Sequence, residues 1–140
     1  MPKKTEILNH YLEITGLKDF RKAYPKNLSG GMQQRVAIAR ALANTPKVLL
    51  MDEPFGSLDS QIRSQMQELL TRIWDKEKMT VLFVTHDVAE AVFMSNKIIV
   101  LSKRPARIKK IFDIPFQRPR NHELKKDNSF FEFVNQIQQE

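Results

Sequence analysis

Two short apolar runs, Val48-Leu49-Leu50-Met51 and Val81-Leu82-Phe83-Val84, bracket a segment in which Ile62, Met66, Leu69, Leu70, Ile73 and Trp74 recur along one helical face. A continuous apolar run suits a strand that is covered on both faces in a parallel sheet. The pattern therefore predicts strand, helix, strand: a βαβ unit, and with it an α/β fold. Parallel strands bring the residues that follow them, Asp52-Glu53 and His86, to equivalent carboxyl ends, the edge where open α/β sheets bind ligands. Two carboxylates and an imidazole on one rim can share a metal-bound nucleotide and an attacking water. Plainer uses exist for the neighbouring acids: Asp87 can N-cap a helix from Val88 to Met94, and Asp59 or Ser60 can cap the long helix.

The flanking sequence is read in the same way. Ile7, Leu8, Tyr11, Leu12 and Ile14 recur at near-helical spacing, with Gly16 placed to end the helix. Residues 18–27 carry Pro25 and many charges, as an exposed connection does. From Met32 to Ala43 the chain is apolar or alanine on nearly every side, which predicts a helix deep in the core. Ser29, Gly30 and Gly31 open that helix. Its unpaired N–H groups and positive end suit an anionic phosphate, worth about 0.3–1 kcal/mol at an exposed site, while capping by Ser29 explains the same residues without a ligand. Further on, Ile98 to Leu101 and a second run through Ile108, Ile111, Phe112 and Ile114 read as strands that extend the sheet, with a turn at Arg104-Pro105. Phe130, Phe131, Phe133, Val134 and Ile137 form one apolar face of a closing helix.

At 140 residues the chain is long enough for one domain with a modest core. No window reaches the 18 apolar residues of a membrane span. Met1-Pro2-Lys3-Lys4 leads into polar residues where a secretory signal has an apolar block, so a cytoplasmic location is expected. With no cysteine, disulfides and thiolate metal sites are excluded. The net charge of +7 points towards nucleic acid only at first sight. Lys103, Arg104, Arg107, Lys109, Lys110, Arg118 and Arg120 lie within 103–120 against Asp113 alone, so the excess is local. Phe112 and Phe116 are the only aromatic residues there, and no nucleic-acid-binding motif accompanies them. A solvated or membrane-proximal face is expected, with no nucleic-acid partner.

Leu28-Ser29-Gly30-Gly31-Met32-Gln33-Gln34-Arg35, then Val48 to Asp52-Glu53-Pro54, Gly56-Ser57-Leu58-Asp59 and Thr85-His86-Asp87 resemble, in order and spacing, the signature, Walker B, D-loop and switch-histidine motifs of ABC transporter ATPases. Ser57 stands where the family usually has Ala, and Met32 where many relatives have Gln. The resemblance implies a partial P-loop NTPase fold of parallel strands with flanking helices and part of the helical subdomain. It divides the chain into a helical and signature region (1–45), an α/β core from Walker B to the switch histidine (46–120) and a tail helix (121–140). It implies ATP and Mg²⁺ as cofactors, Asp52 ordering the Mg²⁺ shell, Glu53 polarising the attacking water and His86 at the γ-phosphate. Ser29, Gly30, Gly31 and Gln33 would close on ATP held by the opposite subunit of a head-to-tail dimer, across which Ser57 and Asp59 of the D-loop communicate.

No G-x-x-x-x-G-K-[ST] loop occurs in the sequence. The resemblance therefore implies that the phosphate-cradling half lies outside this chain, which alone should bind ATP weakly and hydrolyse none. Exposed sheet edges and apolar faces should follow. The wording around Asp52 and His86, with Arg104-Pro105 and Arg118-Pro119-Arg120, is similar to ATPases of nitrate, sulfonate and taurine importers. That implies permease subunits as partners, a solute-binding protein at one remove, and a place on the inner face of the membrane. A non-hydrolysing module that donates its signature to a complete partner is an alternative. Another is an ABC-type ATPase of DNA repair or translation, in which long insertions usually part motifs that only 16 residues, Val36 through Met51, separate here.

Overall fold

The computed structural model describes residues 4–140; the opening Met1-Pro2-Lys3, read above for the lack of a secretory block, lies outside the described residues. The chain divides into two compact units, residues 1–82 and 83–140. The first holds α1 (Lys4–Ile14), α2 (Gly30–Leu42), β1 (Val48–Asp52) and α3 (Ser60–Glu77), and runs into β2 (Thr80–Val84). The second contains α4 (Val88–Met94), β3 (Lys97–Leu101), β4 (Ile108–Asp113) and α5 (Asn128–Gln138). The fold is α/β with parallel strands: β1 and β2 are hydrogen-bonded neighbours, and the α3 crossover between them is the connection that parallel pairing requires.

In the first unit the predicted elements form for the predicted reasons. At the end of α1, Gly16 adopts φ +68, where a side chain is disfavoured; its N–H donates to the Glu13 carbonyl at 3.0 Å, and that of Leu17 to the Leu12 carbonyl at 2.7 Å. Residues 18–27 contain two short 3-10 turns, Lys18–Phe20 and Pro25–Asn27. The stripe on α3 is the core face, with Met66, Leu69, Leu70 and Ile73 buried. Tyr11 on α1 is buried, and burial followed by the Glu77 carboxylate raises its hydroxyl pKa. At the far end of α3 the indole N–H of Trp74 donates to the Met79 carbonyl at 2.8 Å, and Lys78 takes the left-handed cap at φ 51.

Two expectations are corrected here. Along β1, Leu49 and Met51 are buried but Val48 and Leu50 are 51% and 71% exposed, so the strand is covered on one face, and β2 leaves Leu82 and Val84 exposed. One crossover carries one helix to one face of a strand pair; a second layer needs another crossover. Nor is α2 buried all round. Gly31, Ile38, Ala39 and Leu42 are buried, whereas Val36, Ala37 and Arg40 are exposed, because its contacts come from α1 and α3.

In the second unit β3 and β4 were expected to extend the sheet. They instead form an antiparallel sheet of their own, pairing Lys97 with Asp113, Ile99 with Ile111 and Leu101 with Ile108. The connection is short and closes on itself: Ser102 N–H donates to the Arg107 carbonyl at 2.9 Å, and Arg107 N–H donates to Ser102 Oγ at 3.0 Å. A reversal of that length favours pairing with the nearest strand. On α5, Phe130, Val134 and Ile137 are buried as expected, but Phe131 is 53% exposed. Phe112 meets Phe133 edge-on with ring centres 6.1 Å apart.

The basic segment is corrected too, since two of its cations are structural. The Arg120 guanidinium is buried; Nη1 donates to the carbonyls of Val92 (3.1 Å), Phe93 (3.1 Å) and Ser95 (2.5 Å), and Nε and Nη2 donate to that of Phe116 (3.0 and 2.7 Å). Arg118 donates from Nη2 to the Met94 carbonyl and from Nε to Asn96 Oδ1. Together they occupy carbonyls at the end of α4, which a helix leaves without internal partners. Burial, then the neighbouring Arg118 charge, lowers the Arg120 pKa to about 10.

Candidate functional site

The carboxylates sit on a constrained turn. β1 ends at Asp52, and Glu53 takes φ 46, a left-handed conformation that costs a non-glycine residue about 1–2 kcal/mol. Such strain persists where surrounding contacts over-determine the backbone, and it gathers at working sites. The constraints are visible. Gly56 N–H donates to the Glu53 carbonyl at 3.2 Å, and the Phe55 ring, 1% exposed, anchors the turn. Gln34 Nε2 on α2 donates to the Pro54 carbonyl at 2.7 Å, and Arg63 Nη2 on α3 to that of Leu58 at 3.1 Å. Asp52 and Glu53 themselves are exposed.

The residues after the turn lead into α3. Ser57 is exposed, and Asp59 is the N-cap, its Oδ1 accepting from Gln61 N–H and Ile62 N–H at 3.0 Å each. Between the two caps weighed from sequence, Asp59 is the one used, which gives it a structural task whatever else it does.

Ser29 caps α2, its Oγ accepting from Met32 N–H at 3.3 Å. The two glycines beside it differ. A Cβ on Gly31 would stand 2.8 Å from Ile62 Cγ2, so its bareness is demanded by the packing of α2 on α3; a Cβ on Gly30 would meet nothing within 4 Å. Gln33 has an occupied amide, Nε2 donating to the carbonyls of Pro25 (3.1 Å) and Leu28 (3.2 Å), so it shapes the approach to Ser29. Arg35 Nη1 donates to the Thr15 carbonyl at 3.3 Å. Gln34 was quoted from sequence only as part of the motif; its link to Pro54 shows in no spacing, since only folding brings positions 34 and 54 together.

His86 belongs to the second unit. It is exposed, two residues beyond β2, between Thr85 and Asp87. Thr85 Oγ1 accepts from Asp87 N–H at 3.1 Å, and Asp87 Oδ1 accepts from Glu90 N–H at 3.0 Å as the N-cap of α4. The helix that follows His86 is thus held by Asp87 at one end and by Arg118 and Arg120 at the other. Those two arginines were legible from sequence as charge but not as caps.

Among the described residues no three His, Cys, Asp or Glu side chains cluster to hold a metal ion. Mg²⁺ keeps several waters and binds through one or two carboxylates together with substrate phosphates. The exposed Asp52 at a strand end offers such an oxygen ligand.

A family model described as ABC transporter matches residues 3–56, a span holding Ser29 to Gly31 and Asp52-Glu53. An uncharacterised ABC transporter ATP-binding protein of Methanocaldococcus jannaschii is 55% identical over 119 residues, covering 85% of this chain and 45% of that protein. An aliphatic sulfonates import ATP-binding protein of Bacillus cereus is 50% identical over 118 residues, covering 83% and 47%. The chain thus spans about half the length of the curated relatives it matches. Among solved structures, a dimeric bacterial ABC transporter cassette aligns with a TM-score of 0.64 at 34% identity, covering 84% of this chain and 50% of that one. With motif order, fold and relatives in agreement, the chain resembles part of the ATP-binding subunits of ABC transporters.

Proposed function

We propose that this chain supplies the signature, Walker B and switch-histidine part of an ATP-hydrolysing subunit that powers an ABC importer. The observation that carries it is the strained Glu53, held beside the strand-end Asp52 by contacts from two helices. Phosphoryl transfer asks for positioning and charge neutralisation more than for covalent chemistry. Glu53, on its over-determined turn, orients the attacking water and accepts its proton. His86, exposed two residues beyond β2, donates to the γ-phosphate. Asp52 would hold Mg²⁺, which neutralises phosphate charge when bound.

Ser29 and Gly30 present the opening of α2 to ATP on a second ATPase subunit, head to tail, with Ser57 and Asp59 facing that subunit. Support comes from Gly30, whose bareness no internal contact requires, and from the likeness to a dimeric cassette. Gln33 acts by shaping the same approach. Permease subunits and, through them, a solute-binding protein complete the assembly on the cytoplasmic face of the membrane. Among the described residues no helix is long and apolar enough to cross it. A small solute such as nitrate, a sulfonate or taurine is the cargo, the sulfonate being the one that the name of the Bacillus relative supports.

The test is Glu53→Gln in an assembly that also supplies a phosphate-binding loop. MgATP binding should stay within about twofold while steady phosphate release falls by about 100-fold or more, the scale of a lost general base. Equal loss of binding and turnover would refute the role. By itself the 140-residue chain should release no phosphate above blank.

A further inference from the structure

Three consecutive side chains on α2 tie its first turns to three separate segments. Gln33 reaches back to Pro25 and Leu28, Arg35 reaches Thr15, and Gln34 alone reaches the turn after β1. The Gln34 bond, 2.7 Å from Nε2 to the Pro54 carbonyl, falls on the residue next to Glu53. Proline has no N–H, so Pro54 joins this network through its carbonyl alone. The turn's other supports are Phe55, the Gly56 bond to Glu53 and the Arg63 bond to Leu58. Gln34 thus links α2 directly to the backbone beside the strained residue, and a shift of α2 is conveyed along that bond.

We infer that Gln34 is a positioning residue for Glu53, coupling the glycine-opened start of α2 to the orientation of the carboxylate. The inference rests on the proposed role of Glu53 for its meaning, but not for its geometry. It goes beyond the motif roles by giving Gln34 a task distinct from that of Gln33, although the two are adjacent and chemically identical. Gln34 touches no reacting atom; it acts through the Pro54 carbonyl and the backbone beside it.

Nuclear magnetic resonance on the full 140-residue chain tests this with two variants. Gln34→Met keeps the length and removes the donor; Gln34→Lys keeps a donor. The readouts are the hydrogen-exchange rate of the Gly56 amide and the carboxyl carbon shift of Glu53, with the amides of Ile38 to Leu42 as a control for α2. In Gln34→Met, Gly56 exchange should rise about fivefold, the factor that a lost neutral hydrogen bond sets, and the Glu53 signal should move. The α2 amides should keep their protection, and Gln34→Lys should restore both readouts to within about twofold. Unchanged Gly56 exchange in Gln34→Met overturns the inference. So does a Lys variant no better than Met, or a loss spread evenly over α2. Phosphate release in the Glu53→Gln assembly is a separate measurement, so failure of the catalytic reading and failure of this coupling are told apart.

Discussion

Replacing Gly30 and Gly31 by alanine, one at a time, should change stability in opposite directions. In an isolated helix both changes help, since alanine exceeds glycine in helix propensity by about 0.8–1 kcal/mol. At Gly30 the new methyl meets nothing within 4 Å, so Gly30→Ala should stabilise by about 0.4–1 kcal/mol, chiefly by restricting the unfolded chain. At Gly31 the methyl would stand 2.8 Å from Ile62 Cγ2. That carbon is bonded directly to Cβ of a β-branched side chain on α3, whose χ1 is nearly fixed in a helix, so it cannot swing aside cheaply. Overpacking costs about 1–3 kcal/mol; less the propensity gain, Gly31→Ala should destabilise by about 0.5–2 kcal/mol. Urea unfolding followed by circular dichroism resolves this difference. The double variant Gly31→Ala with Ile62→Ala should recover about 1 kcal/mol relative to the sum of the single changes, because the obstructing methyl is gone. Equal shifts of the same sign at both glycines would refute the packing account, and additive behaviour of the pair would refute the role of Ile62. Gly30→Ala also separates fold from function: it should leave the chain intact yet lower ATP turnover in an assembled dimer, where the new methyl faces the nucleotide.

Removing the α4 clamp with Arg120→Met should cost about 2–4 kcal/mol, because the buried carbonyls of Val92 and Phe93 and the part-buried one of Phe116 lose their donor; hydrogen exchange should show the amides of α4 opening first. The Arg120 pKa, lowered to about 10, lies below its unfolded value, so the folded state releases this proton first and the contribution to stability is flat below about pH 9, rising only above about pH 10. A slope between pH 5 and 9 that Arg120→Met abolishes would contradict that. Asp59→Ala should lower stability by about 0.5–2 kcal/mol through loss of the α3 cap, measurable by thermal unfolding, so any effect on turnover must be read against the folded fraction. Leu50→Thr, on the uncovered face of β1, should change stability by less than about 0.5 kcal/mol and reduce self-association in sedimentation velocity; a large loss of stability would mean that the face is covered.

Adjacent residues explain what was and was not legible. The helical stripe from Ile62 to Trp74, the strand runs and the acids that could cap helices are local patterns, set by the periodicity of a few turns or residues, and they were read with little loss. The motifs around Ser29, Asp52 and His86 were legible because they are contiguous words. Burial was misjudged on α2, β1 and β2: an apolar run says that a face can be covered, not that this chain covers it. Charge was misjudged at Arg118 and Arg120, because a cation in water and one capping a helix are the same letter. The pairing of β3 with β4 depended on a connection whose direction hydrophobicity does not encode.

Sequence alone determined the order of elements, the candidates for the caps of α3 and α4, and the presence of a carboxylate pair after an apolar strand, since each depends on neighbours a few positions away. Tertiary structure decided which glycine is bare for packing and which is not, which glutamine holds the Pro54 carbonyl, and which arginines are withdrawn from solvent. Those depend on residues 20 or more positions apart, such as Gln34 with Pro54 or Gly31 with Ile62. Their distances are set by packing between elements, and no local pattern in the chain records them.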